Sequence, residues 1–178
     1  MNNNTEERVV NEFYKNFIIY NRLRFKKAVS ISEVSSEDRI LDFGCATGEL
    51  RKYLPKTIKY SGYDKNDKFS TIKDWETGTF DIVFALDVFE HMTEEELEQT
   101  IKRFKDIGIK TIVAGFPYET IYINKLFNII FNAEIDNHLT HKIGWKQISK
   151  IIYKYYDLDN TKNIFYSNLI TRWKIRKE

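Results

Sequence analysis

Apolar runs of strand length alternate with amphipathic stretches of helical length along most of the chain. Apolar side chains three and four positions apart predict a docking helix, in one piece or in two, over 6–30. Three later runs are largely apolar, as buried strands are, and we predict strands there at 39–43, 81–86 and 110–116. A further strand is predicted at 59–63, directly before Asp64. Further helices are predicted at 49–54, 93–108 and 145–156.

The C-terminal tail has a different pattern. Two apolar segments, 163–166 and 169–175, flank a polar pair at 167–168, which indicates an antiparallel hairpin at a sheet edge. Its basic side chains predict a solvated edge strand whose charges discourage pairing with other chains: Arg172, Lys174, Arg176 and Lys177.

Strands that alternate with helices predict an α/β fold. We expect a three-layer αβα sandwich whose sheet is mostly parallel and ends in the antiparallel hairpin. Ligands of such sheets bind at the carboxyl ends of the strands, where the strand order reverses. One domain is predicted over 1–178, with an N-terminal helical segment at 1–35 and a substrate-side insertion at 117–144. Within that insertion, the apolar stretch at 121–131 is typical of core or dimer packing, or of a cover over an apolar substrate.

The composition excludes several classes of protein. The single cysteine, Cys45, rules out an intramolecular disulfide framework and fits a reducing, cytoplasmic compartment. With 28 Lys and Arg against 26 Asp and Glu among 178 residues, the net charge of +2 gives no reason to expect a nucleic acid partner. The chain also lacks the pattern of a signal peptide and an apolar stretch that would insert stably into a membrane. A monomer and a homodimer are both compatible with the sequence.

The turn at 42–48, between the first predicted strand and a helix, carries the main chemical signal. Glycines at 44 and 48 let the backbone come close to a ligand. A dinucleotide fingerprint would need glycines where Ala46 and Glu49 stand, and a P-loop would need Lys and Ser or Thr after its last glycine. The acidic residues on either side of the turn would repel a pyrophosphate. They would attract a ligand that bears an amine and a ribose diol.

Three motifs together resemble one family. They are Asp-x-Gly-x-x-x-Gly after the first strand, Asp64 at the end of the second, and the segment 80–92, which resembles the family's fourth strand and the Glu-His pair behind it. This combination resembles the class I, Rossmann-like methyltransferases that use S-adenosylmethionine, and it covers most of the chain. The resemblance implies a seven-stranded sheet, S-adenosyl-L-methionine as cofactor and S-adenosyl-L-homocysteine as product.

The resemblance also implies which residues bind the cofactor. The turn would wrap the methionine part, and the two oxygens of Asp64 would each accept one ribose hydroxyl. Asp74 and Trp75 stand near where the family contacts adenine, and Asp87 would face the methyl-donor position or cap the following helix. The implied set is Asp42, Phe43, Gly44, Cys45, Ala46, Gly48, Asp64, Lys65, Asp74, Trp75, Asp87, Val88 and His91.

One segment departs from the family. Only 16 residues separate Asp64 from Phe80, where the family places a full helix and its third strand. This length leaves room for a short strand near 69–73 and for little or no helix. We therefore expect a sheet that is shortened between its second and fourth strands, and an adenine side that is more open or is completed by Trp75.

Histidines are the candidate catalytic residues. His138 and His141 lie in a stretch that resembles the family's substrate-side segment, and either could accept a proton from an attacking hydroxyl near neutral pH. His91 is the third candidate, with a structural role as its alternative. No metal is predicted, because Asp136 with the two nearby histidines lacks a further nitrogen or sulfur ligand. Cys45 is interpreted as a small turn residue and not as a nucleophile.

These observations predict an S-adenosylmethionine-dependent methyltransferase that acts by direct methyl transfer on a small-molecule or sugar- or lipid-like metabolite. The near-balanced charge and the absence of a Pro-Pro-Tyr motif argue against a nucleic acid substrate. The alternative is a catalytically silent module or sensor that binds S-adenosylmethionine, which the short 64–80 segment motivates. A nicotinamide-dependent oxidoreductase is the most distant alternative.

Overall fold

The computed structural model describes residues 18–117, 142–164 and 168–177. Its helices are α1 (Ile18–Ser32), α2 (Glu94–Asp106) and α3 (Trp145–Ile152), with 3₁₀ helices at Glu49–Tyr53 and Phe89–His91. Its strands are β1 (Arg39–Phe43), β2 (Lys59–Tyr63), β3 (Ile82–Leu86), β4 (Thr111–Pro117), β5 (Tyr156–Ile164) and β6 (Asn168–Ile175).

In these ranges the six strands form one sheet in the order β2-β1-β3-β4-β6-β5. The first four strands are parallel, whereas β6 is antiparallel to both β4 and β5. The order reverses at β1, since β2 lies on one side of it and β3 on the other. A mostly parallel α/β sheet with an antiparallel C-terminal hairpin is therefore confirmed, and the carboxyl end of β1 is the position where such sheets bind ligands.

Two apolar layers cover the faces of the sheet. On one face α1 packs through Phe25, Ala28 and Ile31 against a cluster that includes Ile40 and Phe84. The opposite face carries the apolar sides of α2 and α3, whose members include the following buried residues: Leu97, Ile101, Phe104, Ile148 and Ile152. The predicted helices therefore lie on both faces, which gives the three layers of an αβα sandwich.

The helix α2 begins as its sequence predicts. The Thr93 hydroxyl accepts the Glu96 backbone N–H, and the Glu96 carboxylate accepts the Thr93 backbone N–H, at 3.2 and 2.7 Å. This capping box satisfies two of the donors that a helix start leaves free. The helix ends before Gly108, which has a φ of 82°.

The strand predicted near 69–73 is not formed, so the described sheet has six strands and not seven. In its place the N–H groups of Thr71 and Ile72 both donate to the Gly62 carbonyl, and the Gly62 N–H donates to the Thr71 hydroxyl. The Ser70 hydroxyl bonds both backbone groups of Asp64. Because these side chains take the bonds that a strand ladder would use, the segment stays irregular and β2 remains the sheet edge.

The C-terminal region differs from its prediction at two positions. Helix α3 ends at Ile152, and Tyr156, predicted as its last residue, begins β5. Most of β5 is polar and exposed, and only its two terminal residues are buried. An edge strand of this kind is held by its backbone ladder to β6 and needs no apolar alternation, which is why the sequence pattern indicated only its end.

The predicted basic edge at Arg172 is wrong. Strand β6 lies between β4 and β5 and is not an edge. Arg172 is 5% exposed, donates to the Ile31 carbonyl at 2.6 Å, and pairs with Asp159 and Glu33. Two carboxylates and a carbonyl thus neutralise a guanidinium that the sequence pattern had assigned to solvent.

The N-terminal helix extends to Ser32, whereas the prediction ended it at 30, and its predicted first part at 6–17 lies outside the described residues. The predicted insertion at 117–144, with its apolar stretch at 121–131, falls largely outside them as well. None of the described helices is long and apolar enough to cross a membrane.

Candidate functional site

The chain turns sharply after β1, at the position where the strand order reverses. The N–H groups of Gly44 and Cys45 both donate to the Tyr63 carbonyl, at 2.7 and 3.0 Å, so the turn folds over the carboxyl end of β2. Gly44, Ala46 and Gly48 have φ angles of 77°, 43° and 71°. The left-handed backbone at these three residues closes a compact loop between β1 and the 3₁₀ helix that follows.

Gly44 has no space for a side chain. A Cβ atom there would collide with Val88 Cγ2 and lie 3.2 Å from Val88 Cγ1. Glycine is therefore required at position 44 for two reasons, its positive φ and the close approach of Val88. Val88 directly precedes the 3₁₀ helix Phe89–His91. The first and the third parallel strand ends are in direct contact at this point.

We expect Gly44→Ala to destabilise the protein by about 2–5 kcal/mol. Left-handed backbone costs a residue with a Cβ about 1–2 kcal/mol, and forcing an atom into a packed site costs about 1–3 kcal/mol more. Urea unfolding measures the change. Gly108→Ala is the matched control, because Gly108 has a φ of 82° and a Cβ there would meet no described atom within 4 Å, so only the backbone cost applies. Equal losses in the two variants would contradict the contact with Val88.

Asp64 is positioned by the same turn. Its Oδ2 accepts the Ala46 backbone N–H at 3.0 Å, and its Oδ1 accepts the Asn66 backbone N–H at 2.9 Å. The side chain is partly exposed. A carboxylate oxygen can accept two hydrogen bonds, so each oxygen keeps one position for a further donor. The carboxylate therefore keeps two accepting positions for the donors of a ligand.

Asp42 is a buried carboxyl directly before the turn. The Tyr60 hydroxyl donates to its Oδ2 at 2.7 Å. Burial raises the pKa of Asp42 to about 7, and the nearby Asp64 carboxylate contributes to the rise, while the Tyr60 hydrogen bond and the Arg24 charge oppose it. The proton on Asp42 is consequently gained or lost near neutral pH, and a bound cation would favour the ionised form.

Arg24 is the central charge of this region, and the sequence prediction missed it. It is buried, and its Nη1 donates to Asp87 Oδ2. Burial raises the pKa of both Asp42 and Glu90, and the Arg24 charge opposes that rise. Arg24 stands on the inward face of α1, beside Phe25 and Ala28. A charged residue on the helix face that carries the apolar Phe25 and Ala28 is the signal that could have revealed it.

Asp87 follows β3 with a φ of 58°. Its Oδ1 accepts Asn168 Nδ2 at 2.9 Å, while its Oδ2 is taken by Arg24. Since both oxygens are bonded, Asp87 joins α1, β3 and β6 at the carboxyl edge of the sheet. The sequence indicated Asp87 for the cofactor or for a helix cap, and the structure gives it this ion pair instead of a cap.

Glu90 lies in the 3₁₀ helix that follows and is a second residue that the predicted set omits. It is 2% exposed, and neither carboxyl oxygen has a hydrogen-bond partner among the described residues. Burial raises the pKa of Glu90 to about 7. Its backbone carbonyl accepts the Lys142 N–H at 2.7 Å, which attaches the segment before α3 to the site.

Several predicted cofactor residues have other contacts. The rings of Phe43 and Trp75 are buried in the core, edge to face with centroids 5.4 Å apart, and Asp74 accepts the Thr77 hydroxyl and the Glu76 N–H in a turn. Lys65 is exposed. Contacts of these residues with adenine or with other parts of the cofactor stay predictions.

The thiol of Cys45 is buried, and burial raises its pKa to about 12, so it remains protonated and does not act as a nucleophile. His91 ends the 3₁₀ helix beside Glu90. His138 and His141, the other two catalytic candidates, lie outside the described residues. The part of the chain with described coordinates contains no group of His, Cys, Asp and Glu that could hold a metal ion.

No family model and no curated protein matches the chain. Solved structures do match it. The small RNA methyltransferase HEN1 superposes with a TM-score of 0.62 and 17% identity over 89% of this chain, which spans 25% of HEN1. The magnesium protoporphyrin IX methyltransferase ChlM from Synechocystis, with bound SAH, superposes with a TM-score of 0.56 and 17% identity. The match covers 96% of this chain and 84% of ChlM. The N-methyltransferase NodS from Bradyrhizobium japonicum, in complex with S-adenosyl-L-homocysteine, superposes with a TM-score of 0.60 and 14% identity. The match covers 88% of this chain and 87% of NodS.

The chain has the fold of the class I S-adenosylmethionine-dependent methyltransferases. The fold that the three sequence motifs implied is thereby confirmed. Within this methyltransferase fold, the turn at 42–48, Asp64 and Asp87 follow the carboxyl ends of three neighbouring strands. The described sheet ends at β2, so the methyltransferase fold is shortened on the side where Asp64 lies.

Proposed function

We propose that this protein binds S-adenosylmethionine and transfers its methyl group to a small metabolite. The observation that carries the proposal is the placement of Asp64. Its carboxylate is fixed by a backbone donor of the glycine turn and by Asn66, and both oxygens keep an accepting position. A ribose with two neighbouring hydroxyl groups matches this arrangement, whereas a phosphate would be repelled.

The residues present suit this cofactor in two further respects. The left-handed turn at 42–48 admits a ligand close to the backbone, and Asp42 ionises readily beside a positive charge. Asp64 would hold the ribose, and Asp42 with the turn would face the methionine amine. When bound, S-adenosylmethionine supplies a methyl group on a sulfonium leaving group. The protein's own contribution is to orient the acceptor, an effect that supplies up to about 7–11 kcal/mol.

The acceptor is proposed to be a small molecule, including sugar- or lipid-like metabolites. The net charge of +2 does not favour a polyanion, although one of the similar structures is an RNA methyltransferase. Unbonded buried polar atoms of Asn21 and Glu90 support a compact acceptor. The proposal also includes a single domain, a cytoplasmic location in keeping with the free thiol of Cys45, and histidine assistance from His91, His138 or His141.

A silent binding module is the second candidate. It is favoured by the irregular segment after Asp64, which lacks the strand and helix that would build the adenine side. Calorimetry with S-adenosylhomocysteine tests both candidates, because each requires binding in the micromolar range. Undetectable heat at millimolar ligand would refute both. Transfer of labelled methyl groups from S-adenosylmethionine into a cell metabolite extract, dependent on the protein, would separate the enzyme from the module.

The affinity for S-adenosylhomocysteine is expected to fall about tenfold when the pH is lowered from 8 to 6. The ligand's ammonium group binds the ionised form of Asp42, and protonation of this carboxyl near pH 7 competes with binding. Calorimetry at both pH values measures the change. Asp42→Asn should bind weakly and equally at both. An unchanged pH dependence in that variant would assign the titration to another group.

A further inference from the structure

A group of buried polar atoms without hydrogen-bond partners among the described residues lies beside the proposed cofactor turn. Asn21, Arg24, Glu90 and Asn168 are between 1% and 3% exposed, and each has at least one such atom. The atoms are Asn21 Nδ2 and Oδ1, Arg24 Nε, Glu90 Oε1 and Oε2, and Asn168 Oδ1. Buried polar atoms are nearly always bonded, and leaving one unbonded is costly. A concentration of them in one place indicates a ligand that bonds them.

These residues belong to one site although different elements carry them. Arg24 and Asn168 both bond the Asp87 carboxylate. Asn21 precedes Arg24 by three residues and therefore lies on the same face of α1. Glu90 follows Asp87 by three residues and lies in the 3₁₀ helix Phe89–His91.

The same site adjoins the proposed cofactor position. Val88, two residues before Glu90, packs against Gly44 of the turn. A molecule that bonds Glu90 therefore sits next to the turn that would hold the methionine part of the cofactor, which is the place a methyl acceptor must occupy.

The balance of donors and acceptors defines the chemistry of that molecule. Four of the six atoms are oxygens that accept, two of them on one carboxyl, and only Asn21 Nδ2 and Arg24 Nε donate. A complementary ligand is rich in N–H or O–H donors. An ammonium group fits the four acceptors, since it carries only donors and its charge compensates the buried carboxylate, and an acceptor atom elsewhere in the same molecule would bond the two donors.

We propose, on the basis of the methyltransferase function above, that Asn21, Glu90 and Asn168 bind the methyl acceptor and that this acceptor is a small amine. Glu90 accepts one proton from the bound ammonium group, which leaves a neutral amine with a free electron pair. That pair forms the new nitrogen–carbon bond as the carbon–sulfur bond of the methyl donor breaks and its electrons remain on sulfur. Glu90 is thus the proton acceptor of the reaction, and the two asparagines orient the nitrogen. A carboxyl with a pKa near 7 suits this task.

The test uses the full chain, ¹³C-methyl S-adenosylmethionine and a cell metabolite extract separated on a cation exchanger. We expect the label to enter the retained, amine-containing fraction and to give N-methyl signals by NMR. Glu90→Gln should lower this transfer at least 100-fold while its affinity for S-adenosylhomocysteine stays within about threefold of the wild type. Glu94→Gln, an exposed carboxyl four residues later, should transfer as the wild type does.

Binding is measured without turnover in the same material. The retained fraction should raise the melting temperature of the wild-type complex with S-adenosylhomocysteine, and not that of Glu90→Gln. Asn21→Leu, which removes two unbonded polar atoms and should fold well, is expected to lose the same shift. O-methyl or C-methyl products, full transfer by Glu90→Gln, or no transfer by a protein that binds S-adenosylhomocysteine would each overturn the amine assignment and leave cofactor binding intact. A protein that binds no S-adenosylhomocysteine would fail the proposed function itself.

Discussion

Replacing Asp64 with alanine is expected to weaken the binding of S-adenosylhomocysteine at least 100-fold. In the proposed complex the two carboxylate oxygens each accept one ribose hydroxyl, and hydrogen bonds to a charged group contribute about 1.5–3 kcal/mol each. Two such bonds correspond to about 3–6 kcal/mol, where every 1.4 kcal/mol is a factor of ten in the dissociation constant. The variant also leaves the Ala46 and Asn66 N–H groups without their present acceptor, which loosens the turn.

Two matched variants show whether this loss belongs to the ribose. Asp64→Asn keeps one acceptor oxygen and should bind about tenfold more weakly than the wild type, because one of the two hydroxyl bonds survives in neutral form. Asp67→Ala removes an exposed carboxylate from the same irregular segment and should bind normally. Calorimetry at pH 8 measures all three. An Asp64→Ala variant whose affinity equals that of Asp67→Ala would remove the observation on which the proposed function rests.

The buried strands could be predicted because both of their faces are covered. The run from Ile82 to Leu86 is buried at every position and apolar at every position, so sequence and structure agree there. Only the end of β5 could be predicted, since its exposed residues carry no apolar pattern and its order comes from pairing with β6. A strand was predicted near 69–73 and is not formed. The hydroxyl groups of Ser70 and Thr71 accept backbone N–H groups of Asp64 and Gly62 that would otherwise pair with a further strand.

Some features of the candidate site could also be predicted from the sequence, whereas others depend on contacts between distant residues. The glycine turn and Asp64 are encoded locally, and the left-handed backbone at Gly44 and Gly48 follows from residues that tolerate it. Arg24 and Asn168 bond Asp87 although they lie 63 and 81 residues away along the chain. Contacts over such distances cannot be predicted from the spacing of residues in the sequence. Glu90 was part of the Glu-His pair that resembles the family, but its importance depends on how completely the surrounding elements bury it.

Replacing Arg24 with methionine is expected to destabilise the protein more at high pH than at low pH. Methionine keeps the apolar contacts of the side chain but leaves Asp42, Asp87 and Glu90 without their common cation. Removing one partner of a buried ion pair costs about 3–5 kcal/mol, and we expect a loss of that size at pH 8.

The pH dependence follows from the two raised pKa values. Folded Asp42 and Glu90 titrate near 7, above their ordinary values of 3.8 and 4.5, so the folded protein binds protons more tightly than the unfolded chain does. The free energy of unfolding therefore decreases as the pH rises from about 4 to 7. At pH 5 both carboxyls are neutral when folded, and Arg24→Met loses only its bond to Asp87. Above pH 7 both carboxyls are charged, so Asp42, Asp87 and Glu90 all lose the stabilising charge of Arg24.

Urea unfolding of the wild type and of Arg24→Met at pH 5 and pH 8 measures the difference, and Arg22→Met, an exposed arginine of the same helix, provides the control. The variant at Arg22 should match the wild type at both pH values. A loss in Arg24→Met that is equal at pH 5 and pH 8 would show that Arg24 acts through its pair with Asp87 alone and not on Asp42 or Glu90. A loss that grows with pH would instead establish that α1 supplies the compensating charge for the acidic carboxyl edge of this sheet, and that the helix and the cofactor turn are one electrostatic unit.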